Sequence, residues 1–439
     1  MQKTLLIRLA VIVGLILILL IPLEMIQGVV SQRQGLQQQV EHTIAESSSG
    51  SQRLTGPLLV VPYTEHELVV SVDSKSRESK KWVESARQII FAPTHLRFDG
   101  VAKIEPKYKG IYKALTYRID SKWLADFDVP QNLGLNVDPK RIIIGSPFLA
   151  IGVTDVRGLN GTPQMSWNGQ PLKIANGTHA TCLGDGVNAM VALADTHEAR
   201  RYQATINLGI SGLGSLAFAP LATSTVVNLA ANWPHPNFGG RFLPQSKTIT
   251  DVGFRATWEV SHLASRNISL LQKGLGEKPQ LEIFDVNFIE PANIYQQVER
   301  AVKYGVLFIV LTFAAFFLLE TLKDICIHPM QYALVGFALA IFFLLLVSIS
   351  EHIPFVFAYL LASAACVLII SYYLAHVLGG WLRGLGFGLT LIILYAVLYV
   401  LLQSEDNALV MGSILLFMVL GIVMVLTRRL NWYQLGNAK

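Results

Sequence analysis

The sequence predicts a membrane protein of mixed class: a bundle of six transmembrane helices, one N-terminal and five C-terminal, plus a large exported mainly-β domain, sandwich-like. Three observations predict it. Apolar runs of membrane-spanning length lie only near the two ends of the chain. Between them, apolar and polar residues alternate with period two. Lys and Arg segregate to alternate inter-helix loops. Of 439 residues, 52% are hydrophobic and 15% charged, against a usual quarter charged.

The first run, LLIRLAVIVGLILILLIPLEMI, starts at Leu5. Lys3 and Arg8 lie at its start, and IPLEMIQGVVSQRQG offers no small-x-small cleavage site. An uncleaved signal anchor over residues 1–27 is therefore expected. Five further runs, near 304–322, 330–350, 354–376, 382–402 and 408–427, each match the length of about 20 residues that spans about 30 Å of hydrocarbon. They form an expected five-helix bundle over 304–427, with a tail over 428–439. Lys3, Arg8, Lys323, Arg383, Arg428 and Arg429 fall on one side of these spans, and Glu351, His352, Glu405 and Asp406 on the other. The positive-inside rule puts both termini in the cytoplasm and exports residues 28–303. The exported segment carries a net charge of only about +4, too weak to argue for nucleic acid. The lipid bilayer is the one partner that composition implies.

Two amphipathic stretches flank the exported segment. Leu36, Val40 and Ile44 fall four apart among Gln and Glu, and SSSGS at 47–51 ends that pattern. Ile294, Val298 and Val302 repeat it in NIYQQVERAVKYG. Each reads as a short helix, and the stripes are expected to pack as an antiparallel stalk crossing near +20°. Between them the β-pattern dominates. Phe254, Ala256, Trp258 and Val260 alternate with polar residues, as do Tyr202, Ala204, Ile206, Leu208 and Ile210, and Phe284, Val286 and Phe288. That is the mark of half-buried antiparallel strands. Further strands are expected near 57–63, 66–72, 88–92, 111–119, 141–153 and 222–231. Cys182 is alone in this segment, so no disulfide within it is expected.

Catalytic signatures are sparse. His66-Glu67 and His197-Glu198 lack the second His of a zinc-protease helix, and Ser211 in GISGLGS lacks the flanking glycines of a nucleophile elbow. No motif asks for a cofactor or metal. Within the spans, Glu320 and His328 form a candidate intramembrane polar pair, although both also suit solvated helix ends. NWPHPNFGGRFLP, residues 232–244, reads as neither helix nor strand. It is expected to be a rigid corner whose Trp233, Phe238 and Phe242 pack on the domain. The competing reading makes Trp233, His235, Phe238, Arg241 and Phe242 a docking loop.

That stretch resembles a segment of the CreD family of bacterial inner-membrane proteins, known as cell-envelope integrity proteins. SSSGSQRLTGPLLVVP at 47–62, ADFDV at 125–129, FAAFFLLETL at 313–322, HPMQYALVGFALAIFFLLLVSISEH at 328–352 and NWYQL at 431–435 match in the same order. The resemblance implies an anchor, a periplasmic domain and a membrane bundle in the bacterial inner membrane. It also implies a role in envelope integrity or the envelope-stress response, with an envelope protein, lipid or peptidoglycan-related partner. It transfers no catalytic residue. Two alternatives stay open: a sensor or assembly factor reporting to a cytoplasmic partner, and a hydrolase or transferase of an envelope polymer or lipid.

Overall fold

The computed structural model describes residues 2–72, 78–135, 141–180, 182–194, 196–273, 280–288, 290, 294–323, 327–377, 379–403 and 408–428. The chain divides into two compact units, one of residues 39–291 and one of residues 1–38 with 292–439. Helix α1 (Gln2–Ser47) opens the chain as one continuous helix of 46 residues. The separate short helix expected from Leu36 is therefore not separate. No Gly or Pro falls between Leu36 and Ser47 in LQQQVEHTIAES, and Gln and Glu propagate a helix well.

The unit of residues 39–291 is a two-layered β-structure. Its early strands are β1 (Gln52–Val72), β2 (Glu78–Phe91), β3 (His95–Lys109), β4 (Tyr112–Val129), β5 (Ile142–Ile144) and β6 (Phe148–Val153). Then come β7 (Leu159–Trp167), β8 (Gln170–Leu172), β9 (Ile174–Asn176), β10 (Gly186–Met190), β11 (Arg200–Leu213) and β12 (Ser215–Ala219). The last are β13 (Ser224–Ala231), β14 (Pro236–Gly240), β15 (Ser246–Thr250), β16 (Gly253–Ser261) and β17 (Phe284–Phe288), with a short helix α2 (Asn267–Lys273) between the final two.

One sheet runs β14-β17-β12-β1-β6-β10-β9, with β2 and β5 also paired to β1; the other runs β15-β16-β13-β3-β4-β11-β7-β8. Pairing is antiparallel except for β1 with β12 and β3 with β13, so the sheets are mixed rather than purely antiparallel. The alternating residues do face inward: Tyr202, Ala204, Ile206, Phe254, Trp258, Phe284 and Val286 are all buried in the shared core. The run at the start of β1 is buried on both faces. Leu54, Leu59 and Val61 enter the core between the sheets. Leu58 and Val60 pack on the other side with Ala150, Cys182, Leu221 and Leu271. Double burial explains why GPLLVV is continuously apolar. It also places Cys182 in an apolar layer, where burial pushes its thiol pKa up.

The other unit holds α1 together with α3 (Ile294–Lys303), α4 (Gly305–Lys323), α5 (Pro329–Ser350), α6 (Phe355–Val377), α7 (Trp381–Gln403) and α8 (Ala408–Thr427). Four helices are long and apolar enough to cross a membrane, or five if α3 and α4, bent by 42° at their junction, count as one span. The helix α1 packs tightly here. A Cβ on Gly336 would meet Leu19 Cδ1 at 2.2 Å, so a larger residue there would force the Leu19 side chain aside where α1 and α5 meet.

Candidate functional site

Two polar clusters organise the helical unit. Glu320 lies on the last turn of α4, and its side chain is only 8% exposed. Its Oε1 accepts from Arg8 Nη1 of α1 at 3.2 Å, and its Oε2 accepts from the Tyr332 hydroxyl of α5 at 2.8 Å. Tyr332 is set in place by a capping box: His328 Nδ1 accepts from Met330 N at 3.2 Å, while Gln331 Oε1 accepts from His328 N. Arg8, Glu320, His328 and Tyr332 line one cavity of about 360 Å³.

Glu320 and His328 thus share a cavity, but among the described residues they make no bond with each other. The partners of Glu320 are Arg8 and Tyr332, and the His328 ring is used as a helix cap. Sequence reading missed Arg8 because it was counted only as a topology signal. A lone Arg inside an apolar run, with a lone Glu inside another, was the available clue.

The second cluster repeats the chemistry. Glu351 caps α5, and its side chain is 7% exposed. Its Oε1 receives Arg33 Nε of α1 at 3.3 Å and the Tyr295 hydroxyl of α3 at 3.3 Å. Next to it, Gln34 Nε2 donates to Glu299 Oε2 at 3.1 Å, and Lys303 pairs with Glu299 at 2.8 Å. Arg8 and Arg33 are separated by 25 residues, about 37 Å of helix at 1.5 Å per residue. That is longer than a hydrocarbon core of about 30 Å. Each arginine meets a glutamate held by a tyrosine.

The two apolar stripes are placed as follows. Val298 and Val302 are buried on α3, Ile294 is half-buried, and Leu36 on α1 is 37% exposed. Val40 is half-buried and Ile44 buried on the part of α1 that belongs to the other unit.

In the β-unit, the 232–244 stretch differs from its expected form, since residues 236–240 make the edge strand β14, paired with β17. A proline is tolerated there because an edge strand leaves N–H positions unpaired. Gly240 has φ +81°, and a Cβ would lie 2.4 Å from the Ile283 carbonyl, so the strand turns away only with glycine. Trp233, Phe238 and Phe242 are half-buried against the main core. Phe238 meets Phe254 and Trp258 edge-on at 5.5 and 5.6 Å. Arg241 pairs with Glu282 at 3.0 Å, and His235 is exposed, with its carbonyl accepting from Trp233 Nε1.

A groove of about 1210 Å³ opens on the second sheet. Register builds it. Arg255 on β16 stands beside Ala230 of β13, which stands beside Val101 of β3, with Asp120 of β4 next in line. One step along, Lys103 stands beside Arg118. Small residues form the floor, and Lys103, Lys107, Arg118 and Arg255 outnumber Glu105 and Asp120 around it. Lys103 holds the Glu105 carboxyl below its ordinary range by a hydrogen bond and its charge. Among the described residues no acid or hydrogen-bond partner reaches Arg118 or Arg255. With neighbouring strands about 4.8 Å apart, these two arginines arise about 14 Å apart. Sequence reading did not find this groove, because its residues come from strands far apart in the chain. Among the described residues no group of His, Cys, Asp and Glu could hold a metal ion.

Comparison with known proteins agrees with the bundle's character. The family profile described as "Inner membrane protein CreD" matches residues 4–433. The Inner membrane protein CreD of Escherichia coli K12 is 37% identical over 432 residues, covering 97% of this chain and 93% of that relative. Among solved structures, a proposed nutrient binding protein of Legionella pneumophila aligns with 58% of this chain and 80% of its own, at 8% identity and a TM-score of 0.23. An M1 zinc metallopeptidase of Deinococcus radiodurans aligns with 45% of this chain and 42% of its own, at 8% identity and a TM-score of 0.21. Likeness that weak supports no argument about this chain. The family match over nearly the whole length does: the chain belongs to the CreD family of inner membrane proteins.

Proposed function

We propose that this protein supports cell-envelope integrity or the envelope-stress response through its β-unit, held in the periplasm by a six-span bundle with both termini cytoplasmic. The chemistry is binding rather than catalysis. The observation that carries it is the groove on the second sheet, where Arg118 and Arg255 have no partner among the described residues and stand above a floor of small residues. Unpaired guanidinium groups in an open groove suit carboxylate or phosphate oxygens, which Arg binds in bidentate fashion. Cations set about 14 Å apart favour a ligand with several anionic groups, such as an anionic envelope component.

The test is the double variant Arg118→Gln with Arg255→Gln in cells that depend on the protein. Envelope sensitivity to detergent and to β-lactams should match that of a deletion, at unchanged protein level and unchanged melting of the purified chain. Full protection by the double variant would overturn the reading. A second reading, that of a sensor reporting to a cytoplasmic partner, is favoured by the unbroken run of α1 from Gln2 to Ser47. A helix break by Gln37→Pro separates the two. It should abolish signalling in a sensor and leave groove-dependent protection intact in a binding module.

A further inference from the structure

A second cavity lies inside the helical unit, and its lining is of another kind. It measures about 660 Å³ and is lined by α4, α7 and α8. Ala314 and Ala315 of α4 and Gly386 and Thr390 of α7 leave it deep, and leucine, isoleucine and valine side chains of all three helices make its walls. Along α7 the lining runs from Arg383 to Val397, about 21 Å of helix.

Ring contacts fix its direction. Phe316 meets Phe387 at 4.4 Å, and Phe308 meets Tyr395 at 4.6 Å, so α4 and α7 run antiparallel. Arg383 therefore stands at the level of Glu320, at the end of the bundle where Arg8 and Tyr332 also lie. At the far end Leu415 of α8 packs near Leu398 and Leu401 of α7. Val423 of α8 thus returns toward Arg383, and the exposed Arg428 follows it by five residues. The cavity is an apolar slot with a cationic rim at one end.

We infer that this slot is a binding site for one acyl chain of an anionic phospholipid, whose phosphate meets Arg383. Three observations select this occupant. The slot sits among apolar helices of an inner membrane protein, where lipid rather than water is the surrounding solvent. It reaches about 21 Å inward from the rim, whereas one leaflet contributes about 15 Å of hydrocarbon, so it accepts a full chain. Arg383 lies at the mouth and not at the floor, which places the charge where a headgroup lies and the chain where it does not.

The inference is independent of the groove on the β-unit and is tested on the full chain in bilayer nanodiscs. Phosphatidylglycerol carrying a photoreactive group near the end of one acyl chain is the probe, with the matching phosphatidylcholine analogue in parallel discs. Labelling should concentrate on peptides covering 311–319, 386–397 and 415–423. It should exceed that on the lipid-facing Leu361 and Leu368 of α6 by at least about fivefold, by analogy with a site that excludes bulk solvent lipid. A Cβ on Gly386 meets nothing within 4 Å, so Gly386→Leu starts its side chain in open space and fills the slot from the α7 side. It should bring labelling down to the α6 level while leaving the melting temperature unchanged or raised. Arg383→Gln should erase the preference for the anionic probe, and Arg383→Lys should keep it. Uniform labelling of all lipid-facing helices, slot labelling indifferent to Gly386→Leu, or crosslinks joining two copies of the chain would each overturn the assignment.

Discussion

At the scale of single residues, the informative groups are charged side chains placed where charge is costly. Glu320 is nearly buried, and its two oxygens are divided between Arg8 and Tyr332. Breaking a fully buried pair costs about 3–5 kcal/mol. The Arg8 side chain is 50% exposed, so a smaller figure of about 1–3 kcal/mol applies. Glu320→Ala should lower the unfolding midpoint of the full chain in detergent accordingly, and Glu320→Gln, which keeps an acceptor for Tyr332, should lower it less. Equal midpoints for all three proteins would mean that the cluster does not hold α1. In the β-unit, Arg157, followed by the backbone N–H groups of Gly50 and Arg157, holds the Asp155 carboxyl below its ordinary range. The same guanidinium donates to the carbonyls of Ala45 and Glu46 at the end of α1. A depressed carboxylate stabilises the fold fully above its unfolded pKa of about 3.9 and loses that contribution as pH falls through the lower folded value. Asp155→Asn should therefore melt below wild type at pH 7, and the gap should close between about pH 4 and the acid limit. A gap that does not narrow at all as the pH falls would show that charge is not the source.

Secondary elements show which parts of this fold are legible in the sequence. The strands with strict alternation, β11, β16 and β17, were readable because one face of each enters the core and the other does not. The helices of the bundle were readable from length and apolarity alone. β3 was missed. In HLRFDGVAKIEPKYK the inward residues include Gly100 and Ala102, which are too small to mark a face. β14 was missed because Pro236 and two glycines read as a corner, although an edge strand accepts them. The groove and the lipid slot were not readable at all, since strand register and helix direction create them. The 232–244 stretch also yields a prediction at this scale. Gly240→Ala puts a Cβ 2.4 Å from the Ile283 carbonyl at a φ of +81°, so β14 should lift off β17. Amide exchange should quicken across 236–240 and 284–288 and stay unchanged in β3 and β4. Trp233→Ala removes a ring that is only half-buried, so about half of the 3–5 kcal/mol of a buried aromatic is the expected loss.

For the molecule as a whole, the number and direction of membrane crossings follow from helix length and charge. Among the described residues four helices are long and apolar enough to cross, or five with the bent α3–α4 pair, and α8 carries a shorter apolar stretch, Val410–Val425. Charge supplies the direction. Lys3, Arg8, Lys323, Arg383 and Arg428 would all lie on one side of a six-span chain, and Glu351 on the other. The two arginine clusters tighten this argument, because Arg8 with Glu320 and Arg33 with Glu351 lie about 37 Å apart along α1. Helix α1 can cross once between them and has no length left for a second pass. If α8 crosses fully, the chain returns to the side on which it began. A reporter fused after Lys439 should then be active only in the cytoplasm, and one inserted within 159–164 only in the periplasm. A third reporter within 404–407 decides the span count. It should be periplasmic if α7 and α8 both cross. A cytoplasmic signal from 404–407 would break the alternation that the arginines require, and a periplasmic C-terminus would leave α8 lying at the interface and reduce the bundle to five spans.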